Sequence, residues 1–78
     1  MQDNLDTDLL RTLVAIADTG SFTGAARRVF RTPSAVSMQM KRLEGIAGRA
    51  LFEKRGRRTQ LNAGGRDLLQ HARRILGP

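Results

Sequence analysis

The 78-residue sequence contains no cysteine, tryptophan or tyrosine, and it has only one histidine. Without cysteine, neither a disulfide nor a zinc site with thiolate ligands can form. A metal site would have to use carboxylates beside His71, and no carboxylates cluster in the sequence. We therefore expect His71 to face solvent or to be merely packed, and we expect no metal and no cofactor.

Long apolar runs and catalytic motifs are also missing. No segment approaches the roughly 20 apolar residues of a membrane-spanning helix, and no basic-then-apolar leader opens the chain. A phosphate-binding glycine loop with its lysine, a G-x-S-x-G motif and a paired acid and base at helical spacing are all absent. We expect one small soluble, cytoplasmic domain that is not an enzyme and makes no use of a membrane.

Positive charge is plentiful but unevenly placed. The net charge is +7, although residues 1–20 contain four aspartates and a single arginine. The excess of lysine and arginine begins after residue 20, which indicates one basic face rather than diffuse positive charge. Nucleic acid is therefore the first candidate partner. An anionic membrane surface is less favoured, because the basic residues accompany polar turns and not a broad apolar face.

Apolar spacing predicts a mainly α fold with a small β-hairpin. The first helix begins near Asp6 or Thr7 and ends at Gly20. Ser21 caps a second helix, whose predicted inner face consists of Phe22, Ala25, Ala26 and Val29, with Phe30 closing it. Thr23 lies near the start of this helix, where it is either a local cap partner or a contact to a phosphate.

A third helix is predicted over about residues 33–45. Thr32 can cap it, and Pro33 suits its first position because the amide there has no partner within the helix. One side carries Val36, Met40, Leu43 and Ala47, and nearly the opposite side carries Ser34, Ser37, Met38 and Lys41. Taken alone, this pattern fits an ordinary amphipathic helix with a solvated outer face. Following a second helix after a very short turn in a basic domain, it fits a recognition helix in a DNA major groove.

Residues 51–61 predict a hairpin, with strands at LFEK and TQL and a turn at 55–57. Four cations, Lys54, Arg55, Arg57 and Arg58, lie at or beside its tip, which indicates an anionic partner more than a solvated loop. Asn62 caps a last helix with an apolar stripe of Leu68, Leu69, Ala72, Ile75 and Leu76. Gly64 and Gly65 near its start indicate a close backbone approach to the hairpin.

These features together resemble the amino-terminal domain of LysR-type transcriptional regulators. The resemblance lies in DLLRTLVAIADTGSFTGAARRVF at 8–30, SAVSMQMKRLE at 34–44 and LFEKRGRRTQLNAGG at 51–65, in the order and spacing of that family. It implies a winged helix-turn-helix over residues 5–62, with the helix-turn-helix at 22–41 and the wing at 51–61. It also implies that residues 63–78 begin a linker helix that forms a dimer, and that a larger effector-binding domain belongs to the full-length protein.

The resemblance implies sequence-specific binding of double-stranded promoter or operator DNA by a bacterial regulator. The recognition helix would lie in the major groove, and the wing residues 54–58 would lie on phosphates or in the minor groove. The family commonly has Gln-Pro where this chain has Pro33-Ser34, and often arginine where it has Met38, so those two base contacts do not carry over. The expected DNA-binding residues are Thr23, Arg31, Thr32, Pro33, Ser34, Ser37, Met38, Lys41, Lys54, Arg55, Arg57 and Arg58.

Two other functions stay open at this point. One is a basic RNA-binding or ribosome-associated protein, which would need exposed aromatic side chains for base stacking. Of the three phenylalanines, we expect Phe22 and Phe30 to face the core, which disfavours this function. The other is a helical dimerisation module that uses the last helix, with the charge serving only solubility. A dimer through this helix is expected to be weak in a chain that ends at residue 78.

Overall fold

The computed structural model describes residues 6–77 as four helices and one two-stranded hairpin. The predicted fold class is confirmed, whereas residues 1–5 and Pro78, and with them the expected domain start at Leu5, lie outside the described residues. The elements in chain order are α1 (Thr7–Thr19), α2 (Phe22–Arg28), α3 (Pro33–Ala47), β1 (Phe52–Arg55), β2 (Arg58–Leu61) and α4 (Ala63–Leu76). No helix between residues 6 and 77 is long and apolar enough to cross a membrane.

Helix α1 lies at the centre of the fold, in contact with α2, α3 and α4. Its side chains Leu9, Leu10 and Leu13 are at most 2% exposed, because helical spacing and crowding by three neighbours bury them from several directions. The core is completed by Ala15, Ile16, Ala25, Ala26, Val36, Met40, Leu43, Leu51, Leu68 and Ala72. One core therefore holds all four helices and the start of the hairpin together.

Each helix begins at a side chain that accepts a hydrogen bond from a free backbone amide of its first turn. Asp6 accepts from the amide of Asp8 at 2.8 Å, and Ser21 accepts from Gly24 at 2.8 Å. Thr32 accepts from Ala35 at 3.1 Å, and Asn62 accepts from Gly65 at 2.8 Å. The predicted caps are confirmed, and Asp6 rather than Thr7 caps α1.

The end of α2 differs from the prediction for Phe30. This side chain is 94% exposed, and its backbone has a left-handed φ of 58°. The helix ends at Arg28 with Val29 as its C-cap, and the amide of Arg31 then donates to the carbonyl of Ala26 at 2.9 Å. This bond closes a Schellman turn. In such a turn the second residue after the helix, here Phe30, has a left-handed backbone conformation, which directs its side chain away from the inner face of the helix. The prediction that Phe30 faces the core was therefore wrong.

The hairpin is shifted slightly from its predicted bounds. Leu51 precedes β1 and is completely buried, and the antiparallel register pairs Phe52 with Leu61 and Arg55 with Arg58. Only two residues form the turn, and Gly56 has a φ of 62° at its first position. Glycine is favoured there because other residues adopt a positive φ at a cost.

The close approach expected at Gly65 is confirmed. A Cβ atom on Gly65 would collide with the carbonyl oxygen of Leu51 and with the side chain of Leu61. Only glycine lets the first turn of α4 lie directly on both ends of the hairpin. The amide of Asn62 also donates to the Leu51 carbonyl at 2.9 Å, so the wing is fixed to α4 at its base.

Candidate nucleic-acid interface

Helix α3 has the two faces expected from the sequence. Val36, Met40 and Leu43 are at most 2% exposed and pack into the core. The opposite face carries Ser34, Ser37, Met38 and Lys41, all of them exposed. Because this face contributes nothing to the core cluster, it is available to a partner over several helical turns.

The turn between α2 and α3 fixes the angle at which α3 is presented. Phe30 closes the Schellman turn after α2, Thr32 caps α3, and Pro33 occupies its first turn. An amide at the first position of a helix has no acceptor within the helix. Because Pro33 has no amide hydrogen, α3 begins without an unpaired donor at that position. The two helices therefore form a helix-turn-helix whose second helix presents its outer face to solvent.

Two polar contacts that were not predicted hold α3 in place. The hydroxyl of Thr12, which is 1% exposed, donates to the side-chain oxygen of Gln39 at 2.8 Å. The carboxylate of Glu44 accepts from the amide of Leu51 at 2.8 Å, where the chain leaves α3 for the wing. The first bond joins α1 to α3, and the second joins α3 to the residue before β1, so local sequence patterns gave no signal for them.

The wing offers four cations that have no acidic partner. Lys54, Arg55, Arg57 and Arg58 are exposed, and none forms an ion pair with any residue from 6 to 77. Arg55 lies directly opposite Arg58 in the hairpin, an arrangement in which like charges repel. Folding gains nothing from this repulsion, whereas an anionic ligand would relieve it.

The wing is held beside the helix-turn-helix by aromatic packing. The rings of Phe22 in α2 and Phe52 in β1 meet edge to face with their centroids 5.2 Å apart. The amide of Gln60 donates to the carboxylate of Glu53 across the hairpin at 3.2 Å. The predicted wing therefore has a defined position relative to α2, with its cationic tip left in solvent.

Every predicted DNA-binding side chain is exposed: Thr23, Arg31, Thr32, Pro33, Ser34, Ser37, Met38, Lys41, Lys54, Arg55, Arg57 and Arg58. Arg42 is a further exposed cation, which the sequence prediction missed. It follows Met38 by four residues and so lies one turn along on the same side of α3. Helical spacing from Met38 was the signal that could have identified it.

The expected dimerisation residues do not share one surface. Leu68 and Ala72 are 8% and 0% exposed and belong to the domain's own core, so they offer no area to a partner in this form. Leu69 and Leu76 are half-buried against that core, and Ile75 is 54% exposed. The side chains of α4 that can contact a second copy are therefore Ile75 and the solvent-exposed parts of Leu69 and Leu76.

Asp18 of α1 joins three helices through two arginines. Its carboxylate accepts from Arg73 of α4 at 2.8 Å and from Arg28 of α2 at 3.2 Å. The hydrogen bond from Arg73, together with the charges of both arginines, lowers the pKa of Asp18 below its ordinary value of 3.8, against a smaller opposing effect of burial. Arg49 and Asp67 form a further ion pair at 3.0 Å.

A metal centre finds no support in the described part of the chain. His71 is exposed, as expected, and no group of three or more His, Asp or Glu side chains within residues 6–77 could hold a metal ion.

Comparison with known proteins agrees with this geometry. Residues 7–66 match the family model described as bacterial regulatory helix-turn-helix protein, lysR family. The chain is 53% identical over 73 residues to the HTH-type transcriptional regulator PecT of Dickeya dadantii strain 3937, covering 94% of this chain and 23% of PecT. It is 51% identical over 73 residues to the HTH-type transcriptional regulator DgdR of Burkholderia cepacia, covering 94% of this chain and 25% of DgdR.

Among solved structures, the crystal structure of a CbnR_DBD–DNA complex is similar, with a TM-score of 0.84 and 33% identity. The alignment covers 92% of this chain and 83% of the CbnR_DBD chain. By contrast, the chain spans about a quarter of the length of the curated relatives it matches. The family model covers well over half of the residues and coincides with the helix-turn-helix, the wing and the start of α4, so this chain belongs to the lysR family of bacterial regulatory helix-turn-helix proteins.

Proposed function

We propose that this domain binds double-stranded DNA with sequence specificity, as the DNA-binding module of a bacterial LysR-type transcriptional regulator. The observation that carries the proposal is the joint exposure of the outer face of α3 and of four wing cations without acidic partners among residues 6–77. A helix of this width fits the major groove of B-DNA, and basic side chains beside it fit the phosphates. The relative CbnR is known in complex with DNA.

The two parts of the surface have different roles in this proposal. Ser37 and Lys41 on α3 contact base edges, because hydroxyl and ammonium groups hydrogen-bond in the major groove. Arg57 and Arg58 of the wing contact phosphates or enter a narrow minor groove, where arginine is attracted by the negative potential. Thr23 in the first turn of α2, and Arg31 and Thr32 directly before α3, contact the DNA backbone and fix the register of the domain on the duplex.

The division of the chain follows the same proposal. Residues 5–62 form the winged helix-turn-helix, and residues 63–78 begin a linker helix that associates with a second copy. Ile75, with parts of Leu69 and Leu76, supplies the contact. This small apolar area leaves little free energy after the entropy cost of association, so we expect a weak dimer in solution and a stronger one on two adjacent half-sites. The full-length regulator would carry an effector-binding domain and act in the cytoplasm without catalysing a reaction.

RNA binding is the alternative that the exposed ring of Phe30 brings back into consideration. Phe30 is 94% exposed, but Phe22 and Phe52 pack against each other at the base of the wing. Modules that read single-stranded RNA stack two or three bases on an aromatic surface, and one isolated ring among residues 6–77 does not provide such a surface. Duplex DNA is therefore the favoured ligand.

The test is a selection of duplex DNA from a random pool, followed by competition between the enriched duplex and the same sequence as duplex RNA. We expect a recurrent half-site, a clear preference for DNA and a steep fall in affinity as salt rises. Equal affinity for DNA and RNA of every sequence would contradict the proposal.

Sedimentation with and without the enriched DNA tests the dimer. The variant Ile75→Asp should bind a single half-site like the wild type but lose cooperative binding to paired half-sites. Cooperative binding that survives Ile75→Asp would remove this helix as the dimer contact.

A further inference from the structure

The first two turns of the outer face of α3 carry no charged side chain. Pro33, Ser34, Ser37 and Met38 are exposed there, and Lys41 follows only in the next turn. Specific contacts to guanine usually come from arginine or lysine, and contacts to adenine from asparagine or glutamine. The one such amide nearby, Gln39, is half-buried and accepts a hydrogen bond from Thr12. The leading part of α3 therefore has little means of reading a purine by paired hydrogen bonds.

Met38 lies in the middle of this uncharged surface. It is 68% exposed and does not belong to the core cluster, so its side chain does not contribute to the packing of the domain. By contrast, Met40 on the opposite face of the same helix is 2% exposed and fills the core. Met38 places a long, flexible and polarisable apolar side chain on the surface that we assign to the major groove.

The major groove offers one apolar group to such a side chain, the C5-methyl of thymine. We infer that Met38 selects a thymine in the half-site by packing on this methyl group, an inference that rests on the DNA-binding function proposed above. Ser34 lies one turn before Met38 on the same side of α3, and its hydroxyl can hydrogen-bond to either base of a pair. The specificity at this position therefore comes from the methyl contact and not from the neighbouring hydroxyl.

The test removes the methyl group from the DNA instead of the protein. Each thymine of the selected half-site is replaced in turn by deoxyuridine, which keeps every hydrogen-bonding group and lacks only C5-methyl. At one position this change should weaken wild-type binding about fourfold, the effect of about one buried methyl group. The same change should have no effect on Met38→Ala, which has lost the partner of the methyl.

Three further variants sharpen the test. Met38→Leu retains an apolar side chain and should keep part of the dependence on the methyl group. Met38→Arg places a bidentate donor at the same point and should move the preference at that position from thymine to guanine. Ile46→Ala removes the other large hydrophobic side chain that α3 exposes, 42% exposed and near the end of the helix, and should keep the full methyl dependence.

The outcomes separate this inference from the proposed function. If specific DNA binding persists but no thymine shows a methyl effect, Met38 does not read thymine and the inference is overturned alone. If the methyl effect is equal in the wild type and in Met38→Ala, another residue makes the contact and the assignment to Met38 is again overturned. If the protein shows no preference among duplex DNA sequences, both the proposed function and this inference are overturned.

Discussion

Two sets of cations in this domain differ in whether they form ion pairs with aspartates. Four arginines lie beside aspartates: Arg11 with Asp8, Arg28 and Arg73 with Asp18, and Arg49 with Asp67. On the outer face of α3 and on the wing, the cations form no ion pair with residues 6–77: Lys41, Arg42, Lys54, Arg55, Arg57 and Arg58.

Three of these four ion pairs join different parts of the fold, whereas the cations of α3 and the wing are free for a ligand. Asp18 brings together helices that are distant in the chain, since Arg73 lies 55 residues after it. The wing cations instead repel one another, as the opposed Arg55 and Arg58 illustrate. We therefore expect changes to the ion-paired arginines to alter folding, and changes to the unpaired cations of α3 and the wing to alter DNA binding.

The largest effect on folding is expected at Gly65, where α4 lies on the base of the wing. In Gly65→Ala the new methyl group collides with the Leu51 carbonyl and the Leu61 side chain, which should destabilise the domain by about 1–3 kcal/mol. Urea unfolding without DNA measures this change. The matched control is Gly45→Ala in α3, where no atom lies within 4 Å of the new Cβ. Gly45→Ala should stabilise the domain by about 0.5–1 kcal/mol, and equal destabilisation by both variants would contradict the close approach.

Next in size is the effect of Ser37→Ala and Lys41→Ala on DNA binding. Each should weaken specific binding by about 1–3 kcal/mol if it removes a base contact. Thermal unfolding should hardly change, because both side chains are exposed and truncation leaves no cavity. Titration of the selected duplex measures the affinity, with Arg74→Ala on α4 as the control that should bind normally. A large loss of stability with unchanged affinity would contradict the assignment of Ser37 and Lys41 to the DNA-binding face of α3.

Structural features that depend on neighbouring residues in the sequence were predictable, and those that depend on distant residues were not. The caps Ser21, Thr32 and Asn62 were predictable because each acts on amides within three residues of itself. Gly65 was also visible, since two successive glycines at a helix start call for a nearby backbone. The bond from Thr12 to Gln39 spans 27 residues, and no local pattern predicts it.

Phe30 and the stripe of α4 show why pattern alone misassigns a residue. Phe30 continues the apolar spacing of α2, but the helix ends at Arg28 and the Schellman turn places the Phe30 side chain in solvent. Leu68, Ala72 and Ile75 share one stripe in the sequence, yet the core takes the first two and leaves Ile75 exposed. Which part of a stripe a domain uses for itself depends on how its helices cross, which requires the tertiary structure.

A smaller effect on stability is expected from replacing Phe30 by a residue that adopts its left-handed backbone conformation more readily. A left-handed conformation costs an ordinary residue about 1–2 kcal/mol, whereas asparagine adopts it more readily. Because the ring is 94% exposed, Phe30→Asn loses little packing and should stabilise the domain by up to about 1 kcal/mol. Urea unfolding again provides the measurement. Phe22→Ala, which removes the ring contact with Phe52, should do the opposite, and destabilisation by Phe30→Asn would show that the exposed ring contributes to folding.

The smallest effect is the pH dependence due to Asp18. Its pKa is lowered from 3.8 in the folded protein, chiefly by the hydrogen bond from Arg73 and further by the charge of Arg28. A lowered pKa means that the carboxylate contributes stability above about pH 3.8 and loses this contribution as the pH falls through the lowered value. Asp18→Asn should therefore be less stable than the wild type at pH 7, and the difference should disappear in acid. A difference that stays constant from pH 7 to pH 2 would remove ionised Asp18 as its cause.

The most direct test of the central claim compares two double variants that remove the same amount of charge. Arg57→Ala/Arg58→Ala takes two unpaired cations from the wing, and Arg28→Ala/Arg73→Ala takes the two partners of Asp18. The quantity measured is the slope of the logarithm of DNA affinity against the logarithm of salt concentration. We predict that the wing variant lowers this slope by about two units, or about one for each lost phosphate contact, and unfolds like the wild type. The Asp18-partner variant should keep the wild-type slope and unfold at a lower temperature. Equal changes of slope in both variants would show that diffuse positive charge, and not the unpaired cations of the wing, binds DNA.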